Sequence, residues 1–173
     1  MHDCDVSWLP QMMPVDFTNW GPYVDALYAK FTADFISNAP FFRGKRVGVD
    51  NMRAPDGKHA RFWHVISEDD GTRRQNRSKA AAPGDEERNP DPRRCERLPW
   101  LRPMIADGPS ARVLTWKDST RGETRWGLSL SDFSFVVVVA ERGRWFHLVT
   151  AFCVEQPRRR EKFRDHYAQF HVP

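Results

Sequence analysis

The chain has 173 residues, enough for one domain with its own core and too few for two ordinary ones, so residues 1–173 read as a single domain. With 29% charged and 40% hydrophobic residues it has the composition of a folded chain, and 27 Lys and Arg against 23 Asp and Glu leave a net charge of +4. The longest apolar stretch, residues 133–140, contains Ser134 and falls far short of the roughly 20 residues of a membrane-spanning helix, which excludes that class. The opening Met1-His2-Asp3-Cys4-Asp5 lacks the basic-then-apolar order of a secretory signal, so the expected compartment is the cytoplasm. Cys4, Cys95 and Cys153 are odd in number and widely spaced, which predicts reduced thiols rather than a disulfide framework or a zinc ribbon.

Pro22 suits the first turn of a helix, and Trp20, Val24, Leu27, Phe31 and Phe35 recur at intervals of three and four. This predicts an amphipathic helix that ends near Asn38 and is closed by Pro40. Residues 45–49 are β-branched, bounded by Asp50-Asn51, and read as a short strand. A Pro55-Asp56-Gly57 turn then leads into residues 61–67, also read as a strand, with Phe62, His64 and Ile66 facing one way.

Residues 68–99 change character, with few apolar positions and prolines at 83, 90 and 92, and read as a long polar insertion over the surface. Its charges nearly cancel, although Arg73, Arg74, Arg77 and Lys79 cluster ahead of Asp85-Glu86-Glu87. Strand signals resume over residues 112–116, 123–130 and 133–140, and Glu141-Arg142-Gly143-Arg144 turns the chain into a last strand, residues 145–154. Pro157 opens a final helix carrying Phe163, Tyr167 and Phe170 at helical spacing. The expected fold class is α+β: an N-terminal helix, an antiparallel β-meander and a C-terminal helix packed on it, with the polar insertion between.

The chain lacks a Walker loop, a dinucleotide glycine fingerprint, a Gly-x-Ser-x-Gly elbow and a His-Glu-x-x-His pair, so nothing in it asks for a cofactor. The run Phe62-Trp63-His64-Val65-Ile66-Ser67-Glu68, the stretch Arg97-Leu98-Pro99-Trp100 and the strand His147-Leu148-Val149-Thr150-Ala151-Phe152 together resemble the BECR-fold endoribonucleases, the superfamily of barnase, EndoU, colicin nucleases and RelE, and in particular its phage-associated branch. The resemblance spans about residues 40–165 and lies in pattern rather than in a shared motif. It implies metal-independent cleavage of RNA, in which the 2′-hydroxyl attacks the adjacent phosphate to give a cyclic phosphate. It also implies a toxin or phage-conflict role, with RNA as partner and a protein inhibitor of antitoxin or immunity type.

That chemistry needs a base, an acid and cations that hold the phosphorane. His64 is the first candidate for acid or base, with a buried, hydrogen-bonded core histidine as the competing reading. Glu68 shares its strand parity, but four extended residues separate the two backbones by roughly 13 Å, so they pair only if the chain bends near Ser67. Thr150 has a hydroxyl that could hold a phosphate oxygen or orient a catalytic side chain, although a β-branched residue in a strand requires no such role. His147 lies on the opposite face from Thr150 by alternation and is set aside unless a bulge intervenes. Arg97 and Arg125 are candidates for the phosphate clamp. Arg158, Arg159 and Arg160 start the last helix, where cations oppose the macrodipole; RNA binding would account for them, as it would for Arg74 and Arg77, and a solvated basic face is the competing and more common reading. Among the tryptophans, Trp100 is the first candidate for stacking an unpaired base, ahead of Trp116 and Trp126, with core packing the competing and more common reading for each of them. The alternative to an enzyme is a non-catalytic RNA- or protein-binding module of the same fold, such as a phage accessory protein.

Overall fold

The computed structural model describes residues 4–68, 89–108, 110–119 and 122–173. Helix α1 spans Trp20–Thr32 and buries the expected stripe of Val24, Leu27 and Phe31. Its last turn widens into a π-turn over Ala33–Ser37, closed by the Asn38 N–H on the Ala33 carbonyl at 3.1 Å, and this carries Phe35 into the same core. Strands β1 (Phe41–Phe42) and β2 (Lys45–Gly48) form a hairpin across Arg43 and Gly44. Both turn residues have positive φ, 48° and 80°, the two-residue turn whose twist matches that of antiparallel strands.

Residues 61–67, expected as a strand, are instead mostly helical: α2 spans Ala60–Ile66. Phe62, Val65 and Ile66, spaced three and four apart, are the buried side chains, so the run satisfies a helical stripe as well as an alternating one. The tertiary core selects the helical solution, because Phe62 meets the edges of both Tyr28 and Phe31 from α1. At Ser67 the backbone becomes extended, and β3 (Ser67–Glu68) pairs with β4 (Asn89–Pro90).

The polar insertion therefore ends earlier than Pro99. Asp91 caps helix α3 (Pro92–Glu96) by accepting from the Arg93 N–H at 2.9 Å, with Pro92 in the first turn where it lacks no needed donor. Asp91 N–H bonds the Ile66 carbonyl and Arg94 Nη1 donates to the Ser67 carbonyl at 2.6 Å, so this segment is docked on the end of α2. A 3-10 turn, Leu98–Trp100, leads into α4 (Leu101–Ala106). Arg74 and Arg77 lie outside the described residues.

Strands β5 (Leu114–Asp118), β6 (Arg125–Ser129), β7 (Phe135–Arg142) and β8 (Trp145–Cys153) form the expected antiparallel meander, and β5 starts later than residue 112 because residues 110–113 make a turn. The order is β1-β2-β8-β7-β6-β5, with β2 parallel to β8, so the six-stranded sheet is mixed. One face, carrying Leu128, Val137, Val139 and Leu148, shares a core with α1, α2 and α4. On the other face Trp116, Phe133, Val136 and Val154 meet Phe163 and Tyr167 of α5 (Pro157–Phe170). No residue of α5 is fully buried, so the helix covers only part of that face. Among the described residues no helix is long and apolar enough to cross a membrane.

Candidate functional site

On a regular strand His147 and Thr150 would face opposite sides of the sheet. Strand β8 is not regular. Val139 pairs with Leu148 and Val138 with Thr150, which leaves Val149 as an extra residue with no partner in β7. The insertion shifts the phase of the strand, so Leu148 and Ala151 both enter the core while His147 and Thr150 both line a groove on the opposite face. The bulge that would restore His147 to the candidate set is present.

This groove has a volume of about 590 Å³. His64, Glu68, Arg125, Thr150 and Arg159, five of the residues singled out from sequence, line it together with His147. The correction at α2 explains how His64 arrives there: Arg61 and His64, three apart on the helix, flank the groove while Phe62, Val65 and Ile66 point into the core. Glu68 lies in the short strand that follows α2 and lines the same groove, although the extended-strand separation from His64 expected from the sequence does not hold on a helix.

Arginines dominate the groove: Arg61, Arg94, Arg125, Arg142 and Arg159 face the carboxylates of Glu68, Asp118 and Glu123. Glu123 organises two of them, accepting from Arg125 Nε at 2.8 Å and lying 2.9 Å from Arg142 Nη2. The Arg125 hydrogen bond, followed by the charges of Arg125 and Arg142, holds its carboxyl below the usual range. His147 is 5% exposed, with Nε2 3.5 Å from Asp50 Oδ2. Burial first, then the Arg61 and Arg142 charges, pushes its pKa down to about 4 against the pull of Asp50 and Glu123. At neutral pH it is an uncharged imidazole. The Thr150 hydroxyl makes no hydrogen bond among the described residues and is available to a ligand.

The other candidates lie elsewhere. Arg97, Trp100 and Arg160 border a second cavity of about 530 Å³. Trp100 is a core residue rather than an open stacking surface: its ring meets Phe135 edge-on at 5.8 Å, and its Nε1–H donates to the Pro10 carbonyl at 2.9 Å. Arg97 lies over that ring at 5.2 Å, near Glu96. Arg160 donates to the Val154 carbonyl at 2.6 Å and faces Asp132, whereas Arg158 is exposed and lines neither cavity. The three arginines that open α5 thus point to three different places. Trp126 packs against Phe42 in the core, and Trp116 forms a buried wall of the groove.

Sequence reading missed Arg61, Arg94 and Arg142. The Asp91-Pro92 cap signal would have placed Arg94 on an ordered helix, but nothing local marks Val149 as a bulge. Among the described residues no group of three or more His, Cys, Asp or Glu side chains is placed to hold a metal ion. Comparison of the chain with protein-family models, with curated proteins and with solved structures finds no match.

Proposed function

We propose that this chain is an endoribonuclease of the toxin or phage-conflict type that works in the cytoplasm without a metal, and that the groove between α2, β8 and α5 is its active site. The observation that carries this reading is the bulge at Val149, which sets a buried histidine of lowered pKa and a hydroxyl with no hydrogen-bond partner among the described residues into the arginine-rich groove that His64 also lines. A phosphodiester is the ligand such a groove suits: planar guanidinium groups pair with its two free oxygens, and their charge offsets its own.

In this reading His147, entering neutral, takes the proton from the ribose 2′-hydroxyl as its oxygen bonds to phosphorus. The P–O5′ bond breaks, His64 gives a proton to the departing 5′-oxygen, and the products are a 2′,3′-cyclic phosphate and a 5′-hydroxyl. A bound phosphate raises the His147 pKa from its depressed value toward neutrality, which makes it a better base when substrate is present. Arg125 and the Thr150 hydroxyl hold the charge that builds on the phosphorane oxygens. Glu68, at the rim, is the second available proton acceptor. The BECR resemblance, and the protein inhibitor it implies, belong to the same proposal.

The test incubates labelled RNA and the matching DNA with the purified chain in EDTA, alongside His64→Ala and His147→Ala proteins whose folding has been checked. RNA-only cleavage to cyclic phosphate ends is expected, with each substitution lowering the rate by about 10²- to 10⁴-fold. Salt-sensitive RNA binding by a folded chain with no turnover would replace the enzyme by a binding module of the same fold.

A further inference from the structure

Arg159 differs from the other arginines of the groove in what holds it. Arg61, Arg94, Arg125 and Arg142 each lie within ion-pair distance of a carboxylate, on Asp50, Asp91 and, for the last two, Glu123. Arg159 has no carboxylate partner among the described residues. Its guanidinium lies instead on two aromatic rings, 5.0 Å from the centre of Phe152 and 6.0 Å from that of Phe163. The two rings are 5.9 Å apart, one from β8 just beyond Thr150 and the other from α5.

The bed has a physical consequence. A guanidinium that serves only as a mobile phosphate counter-charge needs no orientation, and a lysine would do as well. The two rings support the guanidinium while the residue remains exposed and borders the groove, so the part of it that the rings do not cover is open to whatever the groove holds. Planar cations of this kind stack on the faces of unpaired bases. Bases inside a duplex are covered on both faces by their neighbours and cannot use it.

We infer that Arg159, supported by Phe152 and Phe163, is a stacking platform for one unpaired nucleobase of an RNA strand whose phosphate lies at the Arg125–Thr150 end of the groove. The inference rests on the reading of that groove as an RNA site and narrows its substrate to single-stranded RNA. It also separates the work of the groove arginines: those tied to carboxylates face the phosphate, and Arg159 faces the base. Stacking is indifferent to base identity, so the platform selects for an unpaired base rather than for a sequence.

The experiment measures the dissociation constant of a short single-stranded 2′-O-methyl RNA, which binds but cannot be cleaved, against a series carrying one abasic nucleotide at each position in turn. It uses the wild-type chain and Arg159→Lys, an exposed substitution that keeps the charge and removes the plane. In wild type the abasic nucleotide at one position is expected to weaken binding by roughly 5- to 150-fold, the worth of one stacked base, and Arg159→Lys abolishes that position-specific loss. The duplex form of the same sequence binds more weakly than the strand. If the strand binds with steep salt dependence but no position is sensitive to base removal, or if Arg159→Lys retains the full loss, the platform is overturned while the RNA groove stands. A folded wild-type chain that binds no RNA at low salt overturns both.

Discussion

Arg61 Nη1 donates a 2.7 Å hydrogen bond to the carbonyl of Val149, the unpaired residue of the β8 bulge. A bulge leaves backbone groups without ladder partners, and here helix α2 supplies one of the missing donors as a charged side chain. The same guanidinium lies 3.8 Å from Asp50, whose Oδ2 is 3.5 Å from His147. One arginine thus links the bulge that turns His147 into the groove with the carboxylate beside that histidine.

Removing this link should loosen the strand and release the histidine together. In Arg61→Ala the Val149 carbonyl loses a charged donor, a loss of about 1.5–3 kcal/mol of stability by urea unfolding. The His147 pKa, followed by its imidazole proton shifts in NMR, should rise from about 4, because Arg61 is the foremost of the charges that depress it. A His147 titration unchanged in a folded variant would show that the arginine does not govern this site.

Stability should fall with acid in a window set by His147. Its pKa is lowered from 6.5 to about 4 in the folded chain, so below pH 6.5 the unfolded chain takes up a proton that the folded chain refuses. The stability present above that pH is therefore lost between 6.5 and 4, with about 2 kcal/mol gone between pH 7 and pH 5. His147→Gln removes that contribution. A contribution of the same sign remains from His59, which burial and Arg53 also push down.

Gly127 faces Trp116 across the β5–β6 pair, and a Cβ there would come within 2.2 Å of the indole. Trp116 is buried and anchors α5 through Phe163 and Tyr167, so it has little room to retreat. Gly127→Ala should cost about 1–3 kcal/mol in urea unfolding and move the tryptophan emission maximum to longer wavelength as the indole is displaced. Unchanged stability and emission would mean that the strand shifts to make room.

Thr150→Val keeps the β-branched shape and removes only the hydroxyl. If that hydroxyl holds a phosphorane oxygen, single-turnover cleavage should slow by about 10²-fold while RNA affinity and folding stability stay near wild type. Equal rates for the two proteins would remove Thr150 from the chemistry.

Much of this architecture is written in local pattern. The stripe from Val24 to Phe35 specifies a helix wherever it lies, and the runs of β-branched and aromatic residues after Val113 specify strands joined by turns such as that at Gly143, because both signals depend only on neighbours along the chain. His64, Glu68, Arg125, Thr150 and Arg159 were legible as residue types suited to phosphate chemistry, and all five line the one groove.

What local pattern leaves open was decided at a distance. Residues 61–67 carry apolar positions that fit a strand or a helix equally, and contact of Phe62 with Tyr28 and Phe31 makes the helix the one that buries them. Trp100 and Arg97 have the composition of an RNA-binding pair, yet packing on Phe135 turns the tryptophan into the core. His147 became a site residue only through one unpaired residue at Val149, which no glycine or turn signal marks, since a bulge is stabilised by what packs and bonds against it rather than by its own identity. Local pattern determined most of the helices and strands and the residue types they carry; the convergence of α2, β8 and α5 decided which of those side chains meet, because that depends on contacts between residues far apart in the chain.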